Sequence, residues 1–165
     1  MEADPIENNR YEFNEEGLQI GLYEEIVKPI NILSSIKTCN ALLYVKAGLF
    51  KNKMGFDECI ILNQNHNLCE GISTNLFWIK DKVVYTPSSH SGCIMGVMRN
   101  HLLQRLKGKE ISFVADEFKF SALTEADEVL FSGATRGLQW VKEMITGDDI
   151  ISYSNTMTKE LFGLL

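Results

Sequence analysis

The sequence predicts an α+β (mixed α/β) fold built around one main core. Three observations predict it. Short apolar runs with strand character outnumber helical segments, and the two kinds follow one another in mixed order with no internal repeat. The length of 165 residues, 45% of them hydrophobic, suits one ordinary domain with a real interior. Residues 1–16 are polar and acidic and read as a linker, which leaves residues 17–165 as the folded domain.

The elements follow in order. Leu18, Ile20 and Leu22 alternate between Gly17 and Tyr23, which predicts a strand. Pro29 breaks the chain. Ser34 and Ser35 can cap a helix that begins near Lys37, carries Leu42, Leu43, Val45, Leu49 and Phe50 on its apolar face, and ends at Gly55. Cys59 to Leu62 is a short buried strand, and the Asn-rich segment 63–67 is a turn. Asn75 to Ile79 and Val83 to Tyr85 form a hairpin through Lys80-Asp81-Lys82. A Ser/Gly loop over 88–96 leads to a helix over about 97–107. A strand at Ile111 to Ala115, a short helix at Ser121 to Ala126 and a strand at Glu128 to Phe131 follow, with a last helix from Met157 to Leu164.

Composition narrows the function classes. The net charge of -6 argues against nucleic acid, whose phosphates demand clustered Lys and Arg. No apolar run reaches membrane-spanning length, so no membrane partner is expected, and the acidic start Met1-Glu2-Ala3-Asp4-Pro5 has no signal-peptide core. Cys39, Cys59, Cys69 and Cys93 form no CxxC pair. They read as reduced thiols of a cytoplasmic protein. His66, His90 and His101 stand apart, and no metal site is expected.

Three features carry chemical interest. Lys37 sits at a predicted helix start, a poor place for a cation, which favours an amine that is neutral or covalently engaged. Glu70 stands before the apolar strand Asn75-Leu76-Phe77. Two glycine segments, Gly92 to Arg99 and Ser132 to Gly137, could present free N–H groups to an anion. Each alone has an ordinary explanation: a lysine stem reaching for solvent, a loop glutamate, a helix cap or tight turn. Together they supply an amine, a carboxylate and a phosphate cradle, which are the three groups that pyridoxal 5'-phosphate requires.

The same residues resemble a known family, the class IV (fold-type IV) pyridoxal-phosphate enzymes, which include aminotransferases and 4-amino-4-deoxychorismate lyases. Glu70, Ile72, Asn75-Leu76-Phe77, Val84-Tyr85-Thr86 and Ile94-Met95-Gly96-Val97-Met98-Arg99 match its ordered pattern. Lys37-Thr38-Cys39-Asn40 is similar to its lysine-bearing segment. Ala126-Asp127-Glu128-Val129 and the Ser-Gly before Arg136-Gly137 resemble its later strand and second phosphate loop. The likeness runs from about Ile20 to the C-terminus.

The resemblance implies the C-terminal large domain of the D-amino acid aminotransferase-like fold, a strand-rich pseudo-barrel with flanking helices. It implies that Lys37 is the catalytic residue and bonds the cofactor. Glu70 would face the pyridine nitrogen. Asn75, Gly96, Val97, Met98, Gly133, Ala134 and Thr135 complete the implied cofactor-binding set. The expected reaction is amino-group transfer from an amino acid to a 2-oxo acid. The alternatives are elimination of pyruvate from aminodeoxychorismate to give 4-aminobenzoate, and a truncated domain without activity. Members of the family usually carry a small α/β domain ahead of this half, so the chain is expected to be a fragment lacking it, and to form a homodimer. Two departures bear on subfamily. Ala41 follows Asn40 where branched-chain aminotransferases usually place Tyr, and Ala134 stands where the second phosphate loop often carries Thr.

Overall fold

The computed structural model describes residues 10–165. Its frame is a nine-stranded mixed sheet. The strands are β1 (Leu18–Lys28), β2 (Glu58–Asn63), β3 (Leu68–Gly71), β4 (Asn75–Lys80), β5 (Val83–Pro87), β6 (Phe113–Asp116), β7 (Glu128–Gly133), β8 (Gly137–Thr146) and β9 (Asp149–Ser152). The helices are α1 (Leu42–Met54), α2 (Val97–Gly108), α3 (Ser121–Thr124) and α4 (Thr156–Phe162), with a 3-10 turn at Ser89–Ser91. The strand order is β3-β2-β1-β8-β7-β4-β5-β6, with β9 paired to β8. β1 runs parallel to both β2 and β8, and β5 parallel to β6, while the other pairs are antiparallel. The mixed α/β, strand-rich architecture is the one the sequence predicts.

Both faces of the central strands are covered, which explains their unbroken apolar runs. Leu76, Trp78, Val129 and Phe131 point to one side, into a core shared with Ile20, Ile60 and Leu123. Their neighbours Phe77, Ile79 and Leu130 point to the other, where Leu102 and Leu106 of α2 and Leu161 of α4 close over them. A third cluster joins Tyr23, Cys59 and Ile61 to Ala47 and Phe50 of α1.

Local chemistry sets the boundaries. The β4–β5 turn places Asp81 and Lys82 at φ 49° and 63°, the two left-handed residues of a tight hairpin loop. Asp127 locks that turn by accepting the Asp81 N–H at 2.8 Å. α1 stops at Gly55, φ 75°, and the Phe56 N–H reaches back to the Lys51 carbonyl at 3.0 Å. α4 starts on the buried Glu128, whose carboxylate accepts the N–H groups of Met157 and Thr158, each at 2.8 Å.

Several differences from the sequence reading matter. α1 begins at Leu42, so Lys37 lies in the preceding loop and not at a helix N-terminus. Ser34 does not cap it. Its hydroxyl donates to the Pro29 carbonyl at 2.8 Å and accepts the Asn31 N–H at 2.7 Å, closing a turn instead. Leu42, Val45 and Leu49 are exposed, and α1 buries Ala47 fully. Glu70 sits on strand β3, which the sequence reading takes as loop, and β8 and β9 fill a stretch in which it assigns no strand. Trp78 and Phe77 are core, and Phe13 packs edge-on against Phe162. No helix among the described residues is long and apolar enough to cross a membrane.

Candidate functional site

One cavity of about 300 Å³ collects most of the candidate residues. Five segments border it: the loop after β1 with Ser35 and Lys37, α1 with Tyr44, the end of β3 and its turn from Glu70 to Asn75, the approach to α2 from Ile94 to Met98, and the end of β7 from Ser132 to Ala134. Of the nine residues proposed from sequence, Lys37, Glu70, Asn75, Gly96, Val97, Met98, Gly133 and Ala134 line it. Thr135 does not. It borders an adjacent depression with Lys51, Glu58 and Arg136, because the β7–β8 turn directs Ala134 and Thr135 to different sides.

Glu70 is 2% exposed and holds three donors. Oε1 accepts from the Lys28 ammonium and from the Tyr44 hydroxyl, the latter at 2.7 Å. Oε2 accepts the Ile94 N–H at 2.7 Å. A buried carboxylate is tolerable only when compensated in this way. Lys28 lies at the end of β1, also buried, and its Nζ stands 5.6 Å from the centre of the Tyr44 ring. Burial, then the charge and hydrogen bond of Glu70, push the Tyr44 phenol upward, so it stays a donor. Lys37 is exposed, and among the described residues its amine has no hydrogen-bond or ion-pair partner.

The anion cradle rests on Asn75. Its Nδ2 donates to the Ile94 carbonyl at 2.6 Å, and its Oδ1 lies where a Cβ on residue 96 would stand. Gly96 is therefore dictated by packing. It is extended at φ -63°, ψ 146°, and no side chain caps the first turn of α2. The N–H groups of Val97 and Met98 are thus uncapped and border the cavity. Ser132 is 1% exposed and lines the same cavity, and its hydroxyl lacks a partner. A buried, unpartnered hydroxyl in the same cavity as uncapped N–H groups fits the phosphate of a small ligand. Glu70 and the amine of Lys37 border the same cavity, a carboxylate and an amine of the kinds that pyridoxal phosphate requires.

Sequence reasoning missed Lys28, Tyr44 and Ser132. Lys28 follows Ile26-Val27 and carries no motif, and it reaches Glu70 only because β1 pairs with β2 and β2 with β3. Position 41, after Asn40, holds Ala, and the phenol enters from Tyr44 on α1 instead.

An apolar cavity edged by a few convergent polar groups, at the ends of strands in a mixed sheet, has the form of a small-molecule site. The family model for amino-transferase class IV matches residues 3–144, and the chain belongs to that family. The family is pyridoxal-phosphate-dependent. An aminodeoxychorismate lyase of Vibrio harveyi is 28% identical over 154 residues, 93% of this chain and 57% of its own length. The structure of branched-chain amino acid aminotransferase from Escherichia coli superposes with a TM-score of 0.79 at 26% identity, covering 88% of this chain and 49% of that one. A 4-amino-4-deoxychorismate lyase from Pseudomonas aeruginosa shares the fold, with a TM-score of 0.81 at 23% identity over 89% of this chain and 53% of the other. The chain thus spans about half the length of the proteins it matches.

Proposed function

We propose that this chain is the cofactor-binding half of a class IV pyridoxal-phosphate enzyme that transfers an amino group from an amino acid to a 2-oxo acid. The observation that carries the reading is one cavity bordered at once by the unpaired amine of Lys37, the compensated carboxylate of Glu70 and the uncapped start of α2. When bound, pyridoxal phosphate supplies an aldehyde for the amine and a ring that accepts electrons from the substrate carbon.

The protein's own part is positioning and proton handling. Val97 and Met98 present N–H groups to the phosphate, with the Ser132 hydroxyl as a further donor. Gly133 and Ala134 bound the opposite wall. Glu70 offers the remaining lone pair of Oε2 to the ring N–H, since both pairs of Oε1 are taken by Lys28 and Tyr44. Lys37, once free, carries a proton at Nζ to and from the substrate carbon. Asn75 fixes the Ile94–Gly96 step on which the cradle depends.

Elimination of pyruvate from aminodeoxychorismate is the second reading. The Vibrio harveyi lyase that matches 93% of this chain favours it, as does Ala41 after Asn40. Both reactions use the same lysine. A homodimer, completed by a further domain, is the expected working form.

Titration of the chain with pyridoxal phosphate tests the reading. It predicts a new visible absorbance band that Lys37→Ala abolishes. A chain that gives no band, or an unchanged band in the Ala variant, overturns it. Given a band, production of 4-aminobenzoate against production of a new amino acid separates the two reactions.

A further inference from the structure

Two lysines attend this site, and their surroundings differ. Lys28 is 5% exposed, and the one acceptor recorded for its ammonium is Glu70 Oε1. Tyr44 shares that oxygen at 2.7 Å and lays its ring against the same Nζ. Lys37 borders the cavity, is open to solvent and has no partner among the described residues. Condensation with an aldehyde needs the nitrogen lone pair. It joins nitrogen to the carbonyl carbon, and the carbonyl oxygen leaves as water with the amine's protons. An ammonium held in a buried ion pair has no lone pair to give, whereas an exposed amine exchanges its proton with water.

We propose that Glu70, steadied by Tyr44, silences Lys28 by ion pairing and so leaves Lys37 as the amine of this site that condenses with an aldehyde. The proposal rests on the reading of Lys37 as the cofactor lysine. It gives Glu70 a task apart from the cofactor ring, namely choosing between two neighbouring amines. Lys28 in turn serves as a positioning residue that keeps Glu70 in place. Glu70 and Lys28 need each other: removal of either leaves a buried charge without its counter-ion.

Two labelling experiments on the full chain test this. Formaldehyde with cyanoborohydride methylates amines that can condense, and peptide mass spectrometry reads each lysine. In the wild type, Lys28, buried and ion-paired, should react at least about tenfold more slowly than the exposed Lys37. In Glu70→Gln, Lys28 should speed up by about tenfold while Lys37 is unchanged, since the ion pair that holds the Lys28 nitrogen is then gone. Glu70→Asp, which keeps the charge but withdraws it, should fall between, and it decides the matter if the Gln variant does not fold by circular dichroism. Shielding by burial alone would leave Lys28 equally slow in wild type and both variants, and that result overturns the proposal. So does equal labelling of Lys28 and Lys37 in the wild type. The second experiment adds pyridoxal phosphate and then borohydride. Label on Lys37 supports both readings, and label on Lys28 overturns the proposal. Label on neither overturns the cofactor reading, while the methylation rates still decide the pairing.

Discussion

Asn75 and Gly96 form a matched pair. The amide of Asn75 occupies the space beside residue 96 and ties down the Ile94 carbonyl, so any Cβ at 96 meets the Asn75 oxygen. Gly96→Ala should cost about 1–3 kcal/mol by overpacking, measured by urea unfolding, and should weaken pyridoxal-phosphate binding. Removing the obstruction with Asn75→Ala should make the double variant less unstable than the sum of the singles. Strict additivity would show that the two do not press on each other. At this scale the sequence was partly legible. Lys37, Glu70 and the glycines stood out because motif spacing records them. Lys28, Tyr44 and Ser132 did not, because their roles arise from strand pairing and helix rotation, which bring together residues far apart in the chain. The hydroxyl of Ser132 has meaning only once its burial and lack of a partner are known.

Among the elements, the turn between β3 and β4 forms one wall of the cavity, and Glu58 at the start of β2 pins it. Glu58 accepts the Cys59 and Ile72 N–H groups at 2.9 and 3.0 Å and the Thr74 hydroxyl at 3.0 Å. Gly71 lacks a Cβ because Thr74 lies against it. Burial pushes the Glu58 carboxyl above its ordinary range, against the lowering pull of those donors and of Lys51. A carboxyl whose value is raised on folding adds stability that is fully present below its unfolded value and is lost as pH rises through its folded value. Wild type should therefore gain on Glu58→Gln as pH falls from neutrality towards the ordinary carboxylate range. Thermal midpoints of both proteins across that range provide the measurement, and a gap that ignores pH would refute it.

The helices show where elements were harder to read. α2 was legible because an extended Gly96 followed by helix formers marks its start, but α1 was placed early. The serines before it satisfy a turn, and its exposed Leu42, Val45 and Leu49 look in sequence like a core face. β3 and β8 escaped because their polar residues, Glu70 on one and Gln139, Lys142 and Glu143 on the other, interrupt the apolar pattern. Glu70 is nonetheless buried, and burial of a compensated charge is invisible to periodicity.

Across the whole molecule, the site opens onto an apolar rim. Ile32, Leu33 and Ile36 precede Lys37 in the same loop, at 90%, 59% and 55% exposure. Leu42, Val45 and Leu49 are exposed along α1, and Met95 and Val97 border the cavity itself. Exposed apolar side chains in this number favour association in water. Matched relatives are roughly twice as long as this chain, so they hold further residues that could cover such a rim. On its own the chain should self-associate through it. Sedimentation at rising concentration should show a dimer or larger species, and the paired change Leu42→Glu with Val45→Glu should shift the population to monomer, because two like charges on one helix face repel across a pairing surface. The same variant should keep its thermal midpoint, since neither side chain is part of the core. A wild type that stays monomeric at every concentration would remove the rim as an interface. A variant that unfolds would mean that these residues support α1 itself, and with it the position of Tyr44 above Glu70.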